Sequence, residues 1–267
     1  MNGALFCLAI NTSRDVFRQP LFYVITGVGM FLTFLSLFFT LFAFGEEIRL
    51  MKDMGISTIT VCCLVLVSMS AANALSKERE SGTILTLLAK PVRSRDVVLG
   101  KFFGILIVAT VEYLILGAFL VASLSLKNLI DLGVALFPSI IHFVSTTFLP
   151  LFYTFLQIEI MCAIAIAGSV YLSVSANLSC CVFVYIVGNL LGLVQNLFNA
   201  NERHFLWLFA FLYTIFPNLE GVSAISMGYP SEGIDVRYIL LMVVYAIAYT
   251  TLIIHIAFEM FERKECC

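Results

Sequence analysis

The chain has 267 residues, of which 61% are hydrophobic and only 12% are charged, with a mean hydropathy of +1.03 and a formal net charge of −2. Soluble domains carry about twice that share of charged residues, so the composition excludes an ordinary water-soluble protein and predicts an all-α membrane protein. A net charge so close to zero gives no support to a nucleic-acid partner.

The first 20 residues mix apolar and charged positions and end at Pro20. This pattern predicts either an amphipathic helix lying along the membrane interface or a frayed tail. Because no basic region precedes a short apolar core and a cleavage site, we expect no removable signal peptide.

Apolar segments of about 20 residues are long enough to cross roughly 30 Å of hydrocarbon. By this criterion the sequence predicts six transmembrane helices, joined by short polar links at 46–53 and 127–131 and followed by a charged tail. The six predicted spans are 21–44, 56–75, 102–126, 149–172, 178–198 and 238–258.

Two apolar segments are predicted not to cross. Pro138 and Pro150 favour a separate interfacial helix at 137–147, ahead of the fourth span. The run 205–216 has 12 residues, which reach only about 18 Å as a helix, so an interfacial or re-entrant piece is expected there.

The segment 76–101 holds nine charges in 26 residues and must therefore lie in water between the second and third spans. Inside it, Gly82 ends the preceding helix, Thr83 can cap a new one and Pro91 stops it. One face of this short helix carries Ile84, Leu87 and Leu88. It either only fixes the topology or docks its apolar face in a groove of a cytosolic partner.

The loop resembles the cytoplasmic loop of ABC-2 type exporter permeases, the type-2 membrane subunits of ABC transporters. The likeness combines an acidic and basic cluster, a Gly-Thr break, a Leu pair, a proline and a Gly-Lys pair that opens the next span. It implies one permease domain over 1–267, with an N-terminal interfacial helix and a cytoplasmic coupling helix between spans two and three. The residues that it implies in coupling to the ATPase are Glu78, Arg79, Glu80, Gly82, Thr83, Leu87, Leu88, Pro91 and Lys101.

The pair Gly100-Lys101 is not a P-loop, because Arg95 stands where the first glycine of GxxxxGK belongs and Phe102 follows the lysine. We therefore expect no enzyme activity and no cofactor in this chain. The resemblance implies that ATP and Mg bind a separate cytosolic ABC ATPase. It further implies a second permease copy or a paralogue, surrounded by membrane lipids, and export of an unidentified substrate.

The basic residues predict the orientation in the cytoplasmic (inner) membrane. Ten of the 15 Lys and Arg residues fall on the side of the termini and the central loop, which the positive-inside rule places in the cytoplasm. These ten are Arg14, Arg18, Lys77, Arg79, Lys90, Arg93, Arg95, Lys101, Arg263 and Lys264.

Glu112 and Glu159 are carboxylates within predicted spans. Each either lines a substrate pathway or is a protonated carboxyl bonded between helices. They also leave open a membrane-embedded enzyme that acts on lipid-linked substrates, and a non-transporting anchor for a cytosolic partner is a third possibility. No paired histidine and carboxylate has metal-binding spacing, so no metal site is expected.

Small side chains favour close helix packing at two places. Gly188 and Gly192 form a GxxxG motif in span five, and a small-residue patch covers 163–168 in span four. Six cysteines in apolar stretches are predicted to be small buried hydrophobes, namely Cys7, Cys62, Cys63, Cys162, Cys180 and Cys181. The sequence assigns no role to Cys266 and Cys267.

Overall fold

A computed structural model of the chain describes residues 2–39, 46–80, 94–133, 135–197, 216–217, 219 and 236–265. The described residues form seven α-helices and contain no strand, which confirms the all-α prediction. The helices are α1 (Asn2–Phe17), α2 (Pro20–Phe39), α3 (Glu47–Glu80), α4 (Ser94–Leu132), α5 (Leu136–Ser169), α6 (Val174–Leu197) and α7 (Val236–Glu265).

Five of these helices, α2 to α5 and α7, are long and apolar enough to cross a membrane. Helix α6 has 24 residues and is apolar over Val174–Leu190. The structure therefore confirms an all-α protein with several candidate membrane spans, and five of the six predicted spans correspond to helices that are long and apolar enough to cross. The first helix, α1, is also formed, so the alternative of a frayed N-terminal tail is wrong.

Contacts between helices define two ends of the bundle. At the far end, Lys127 near the end of α4 pairs with Glu47 at the start of α3. At the base end, where α3 and α5 finish and α4 and α6 begin, Asn177 of α6 bonds to carbonyl oxygens of α3 and α5. Successive long helices thus run in opposite directions, as short connections between packed helices require.

The centre of the bundle consists of α3, α4 and α5. About half or more of the most apolar window of each is buried (61%, 50% and 61%), against 28% for α2 and 17% for α7. Ile59, Leu116 and Ile158 bring these three helices into one apolar core. Helices α2 and α7 lie at the periphery, with large apolar faces exposed.

The prediction of polar links at 46–53 and 127–131 is wrong, because both segments are helical. Some of their charged side chains bond between helices: Lys127 Nζ lies 2.7 Å from Glu47 Oε2, and Lys52 Nζ donates to Thr146 Oγ1 over 3.0 Å. At about 1.5 Å per residue the 39 residues of α4 extend roughly 58 Å, well beyond a hydrocarbon core of about 30 Å. The charged turns can therefore lie outside the hydrocarbon without ending the helix.

The separate helix predicted at 137–147 is also wrong, since α5 runs unbroken from Leu136 to Ser169. Pro138 falls in the first turn, where backbone amides have no helical partner to lose. Pro150 lies inside the helix, which membrane helices tolerate when neighbouring groups satisfy the freed backbone. The predicted break between spans four and five is present at 170–173, and α6 begins at Val174 rather than at 178.

Two further predictions differ in part. Helix α7 continues to Glu265, so the charged tail is largely helical. Cys62, Cys63, Cys162 and Cys181 are buried as predicted, but Cys7 and Cys180 are exposed. Apolar residues of a membrane helix face lipid as well as protein, so an apolar stretch alone does not predict burial in the bundle. Residues 40–45 of span one and 205–215 lie outside the described residues.

Candidate functional site

The base end brings α1, α3 and α4 together on both sides of segment 81–93. Lys101, in the second turn of α4, donates from Nζ to the backbone oxygen of Ala74 in α3 over 3.0 Å. The side chain is only 3% exposed. A buried ammonium bonded to a carbonyl near the end of α3 fixes the two helices that enclose the segment.

Helix α1 packs against the start of α4 across two glycines. A Cβ atom at Gly100 would lie 2.6 Å from Leu8 Cδ2, and one at Gly104 would lie 2.8 Å from the backbone oxygen of Ala9. Only glycine permits this approach of the two helices. We call this set of contacts the coupling junction, comprising Leu8, Ala9, Thr12, Ala74, Gly100, Lys101 and Gly104.

The predicted coupling residues are placed only in part. Glu78, Arg79 and Glu80 belong to the last turn of α3. Gly82, Thr83, Leu87, Leu88 and Pro91 lie outside the described residues. Of the predicted set, Lys101 is therefore the one whose side-chain contacts the structure describes, and it joins the two spans on either side of the loop.

Glu112 lies in the middle of α4 and is completely buried, with 0% exposure. Neither carboxyl oxygen has a hydrogen-bond partner among the described residues. Next to it, α2, α3 and α4 pack tightly, since a Cβ atom at Gly29 would lie 3.0 Å from Leu116 Cδ2 and 3.2 Å from Cys62 Sγ. An acid or base enclosed in this way has no access to a substrate in the conformation described.

Glu159 has different surroundings. It lies on α5, is half-buried and has Cys162 of the next turn as an electrostatic neighbour. Glu112 instead has Cys62 and Cys63 of α3 near it. The structure therefore does not bring the two predicted carboxylates into one site, and Glu159 is the more accessible of the two.

The segment around Leu219, between α6 and α7, folds into the bundle. Gln157 Nε2 of α5 donates to the backbone oxygen of Leu219 over 2.7 Å, and Leu219 is fully buried. A Cβ atom at Gly188 would lie 2.8 Å from the backbone oxygen of Pro217. Gly188 thus receives this segment rather than a second helix, which corrects the interpretation of that half of the GxxxG motif.

Counting along the helices gives the depth of this insertion. Gln157 and Gly188 lie 12 and 14 residues from the base ends of α5 and α6, which corresponds to about 18 to 21 Å along the helix axes. Leu219 therefore lies well away from the base end, beside the apolar helices α5 and α6. A glutamine in an apolar span was the sequence signal for this contact, and the sequence analysis did not use it.

Asn177 was also missed, because it lies in the short gap that the sequence predicted between spans four and five. Its amide donates to the backbone oxygens of Ser68 in α3 (3.0 Å) and Ala165 in α5 (3.1 Å), and its exposure is 0%. A Cβ atom at Gly168 would lie 2.5 Å from Asn177 Oδ1. Gly168 therefore makes room for a polar side chain that joins three helices.

A family model described as ABC-2 family transporter protein matches residues 35–266 of the chain. The chain belongs to this family. The match covers most of the sequence and all of α3 to α7, and it begins near the end of α2. No curated protein matches the chain.

Family membership identifies the chain as a membrane permease component of an ABC transporter. Such a component is a transporter subunit that associates with an ABC ATPase and is not itself an enzyme. The resemblance seen in the central loop is thereby confirmed. Helix α1 precedes the matched residues.

Proposed function

We propose that the chain exports a substrate across the cytoplasmic (inner) membrane with energy from ATP that is bound, with Mg, by a separate cytosolic ATPase. Helices α2 to α7 form six crossings of one domain, and both termini and segment 81–93 lie in the cytoplasm. A second permease copy or a paralogue completes the complex. The alternating helix directions and the excess of basic residues at the base end support this arrangement.

The observation that carries the proposal is the coupling junction. The proposed docking helix, around 83–89, is bounded by α3, which ends at Glu80, and by α4, which begins at Ser94. Lys101 ties these two helices together, and the glycines of α4 tie α1 to the same place. A push on the segment from the ATPase would therefore move α1, α3 and α4 together rather than bend a free loop.

Such a push drives transport only if the two conformations of the permease bind the two ATPase states differently. In the inward state the base ends are held as described. In the outward state the same rigid junction tilts and opens a path between the helices. Glu159, which is half-exposed, is the better placed of the two carboxylates to line that path. Glu112 would reach it only if α2 and α4 separate.

The experiment reconstitutes the chain with its cognate ATPase and measures ATP hydrolysis, transport and membrane insertion. We expect Glu80→Ala and Leu87→Asp to leave insertion intact but to reduce ATP-dependent transport by at least about tenfold, because the permease no longer responds to the ATPase state. Glu259→Gln, at an exposed position near the end of α7, is the matched control. Unchanged coupling between ATP hydrolysis and transport in both variants would contradict the proposal.

A further inference from the structure

A groove of about 640 Å³ lies between α2 and the first three turns of α3, toward the far end of the bundle. Its walls include apolar side chains, and two of these, Leu32 and Met54, are 42% and 40% exposed. Because both helices are candidate membrane spans, a ligand in the bilayer can approach the groove from the side.

Charged groups enter this apolar groove from α3. Glu46 and Arg49 lie near its mouth, and their side chains are largely exposed. Asp53 lies one turn deeper and is only partly exposed. Six residues separate it from Glu47, which places it about 9 Å along the helix from the start of α3.

The carboxylate of Asp53 has no ion-pair or hydrogen-bond partner among the described residues. The two cations closest in sequence, Arg49 and Lys52, attract this carboxylate from a distance, but each makes its direct contact with another group. Arg49 Nη1 lies 3.4 Å from Glu46 Oε2, whereas Lys52 points to the other side of α3 and donates to Thr146 Oγ1. An unpaired carboxylate at the edge of hydrocarbon is costly, and a cation that enters the groove would offset the cost.

From this geometry we propose that the groove binds a lipophilic amine, meaning one protonated amine on an apolar body that enters from the bilayer. The ammonium group pairs with Asp53, and the apolar body lies along Leu32, Leu35 and Met54. Hydroxyl oxygens of Ser57 and Thr58, one turn deeper, can accept its remaining hydrogen bonds.

The charge pattern favours an amine over a phospholipid headgroup. A phosphate in the groove would approach the carboxylates of Glu46 and Asp53, and the one groove cation, Arg49, already pairs with Glu46. A phosphate would be repelled by two carboxylates, whereas an ammonium group is attracted by both and repelled only by Arg49, which already pairs with Glu46.

The test uses the purified full-length chain in nanodiscs of phosphatidylcholine, without ATPase or ATP. The probe is dodecylamine with a photoreactive diazirine, and the matched neutral probe is the corresponding alcohol. Mass spectrometry then locates the cross-linked peptides. We expect saturable labelling of 32–35 and 50–58 by the amine, about tenfold stronger than by the alcohol, because only the amine forms the charged pair.

Asp53→Asn should reduce amine labelling to the level of the alcohol, whereas Asp15→Asn, on exposed α1, should leave it unchanged. Leu35→Trp fills the groove but keeps the carboxylate, and it should abolish labelling too. This second variant decides the outcome if Asp53→Asn fails to fold. Equal labelling by amine and alcohol, labelling that is insensitive to both groove variants, or cross-links only to 40–45 or to a second copy would overturn the proposal.

The site deepens the proposed function, and the interpretation of the bound amine as cargo rests on that function. Labelling requires neither the ATPase nor transport, whereas the coupling experiment requires no knowledge of the groove. A negative result in one experiment therefore does not affect the outcome of the other, and the two failures are distinguishable.

Discussion

Asn177 joins three helices with one side chain at the base end of the bundle. Its side-chain amide donates one hydrogen bond to the backbone oxygen of Ser68 in α3 and one to that of Ala165 in α5. Interhelical hydrogen bonds in membranes contribute only about 0.6 kcal/mol on average, so the position of Asn177 is more informative than its energy. It fixes the start of α6 relative to the central helices.

We expect Asn177→Ala to lower the free energy of unfolding by about 1 to 2 kcal/mol, because two buried hydrogen bonds are lost. Asn177→Asp should be worse, since it places carboxyl oxygens opposite two carbonyl oxygens. Unfolding in a titration with denaturing detergent measures both. Ser179→Ala is the control, because the Ser179 hydroxyl bonds only within α6 and is exposed. Equal stability of Asn177→Ala and Ser179→Ala would contradict the assigned role.

At the scale of helices, the sequence predicted which elements exist better than where they end. Runs of apolar residues identified the five described helices that are long and apolar enough to cross a membrane, but the ends of α3 and α4 extend through charged turns that were interpreted as links. Lys127 explains the difference, because its partner Glu47 on α3 is found only once α3 and α4 are packed, whereas Asp131 lies one turn away on α4 itself. The prolines led to the wrong prediction of a separate helix at 137–147 for a similar reason. Whether Pro150 breaks α5 depends on the helices packed around α5, and the sequence does not show these.

The sequence also predicted some residues of the candidate site and missed others. The sequence identified Lys101 from its position in the loop motif, whereas Gln157 and Asn177 are isolated polar residues whose partners are backbone atoms far along the chain. Backbone partners leave no pattern in the sequence. Gly104 was missed because a single glycine in a helix has many causes, and only the packing of α1 shows which one applies.

The contact between α1 and α4 can be tested with Gly104→Ala. The new Cβ atom would lie 2.8 Å from a backbone oxygen of α1, which cannot move aside without moving the helix. We expect α1 to detach, with hydrogen exchange over 5–17 faster by at least about tenfold and a loss of about 1 to 3 kcal/mol in stability. Hydrogen exchange with mass spectrometry measures the change in the reconstituted chain.

Gly27→Ala is the matched control, since a Cβ atom there meets nothing within 4 Å. Alanine is the better helix former by up to about 1 kcal/mol, so this variant should be neutral or slightly more stable. If Gly104→Ala leaves the exchange of α1 unchanged, then α1 is not held at the coupling junction.

For the whole molecule, the contrast between a buried centre and an exposed periphery predicts which parts move. Helices α3, α4 and α5 share one core, and polar contacts link α3 to the other two at each end, through Lys101 and Asn177 at the base and through Lys127 and Lys52 at the far end. Helix α2 is buried over only 28% of its apolar window. Packed cores move as units, so we expect ATP-driven change to shift α2 against the three central helices.

Two covalent locks test this expectation in the complex with the ATPase. Gly29→Cys places a thiol on α2 beside native Cys62 of α3, since a Cβ atom at Gly29 would lie 3.2 Å from Cys62 Sγ. Oxidation should then reduce coupled ATP hydrolysis by about tenfold, and dithiothreitol should restore it. Gly29→Ala, treated with the same oxidant, controls for the added side-chain volume.

The second lock links α3 to α5 within the central unit, through Lys52→Cys and Thr146→Cys joined by a short bifunctional thiol reagent. Here activity should stay within about twofold of the unlinked double variant. Equal inhibition by both locks would show that the three central helices do not move as one body, and inhibition by neither would show that α2 stays fixed to them during coupling.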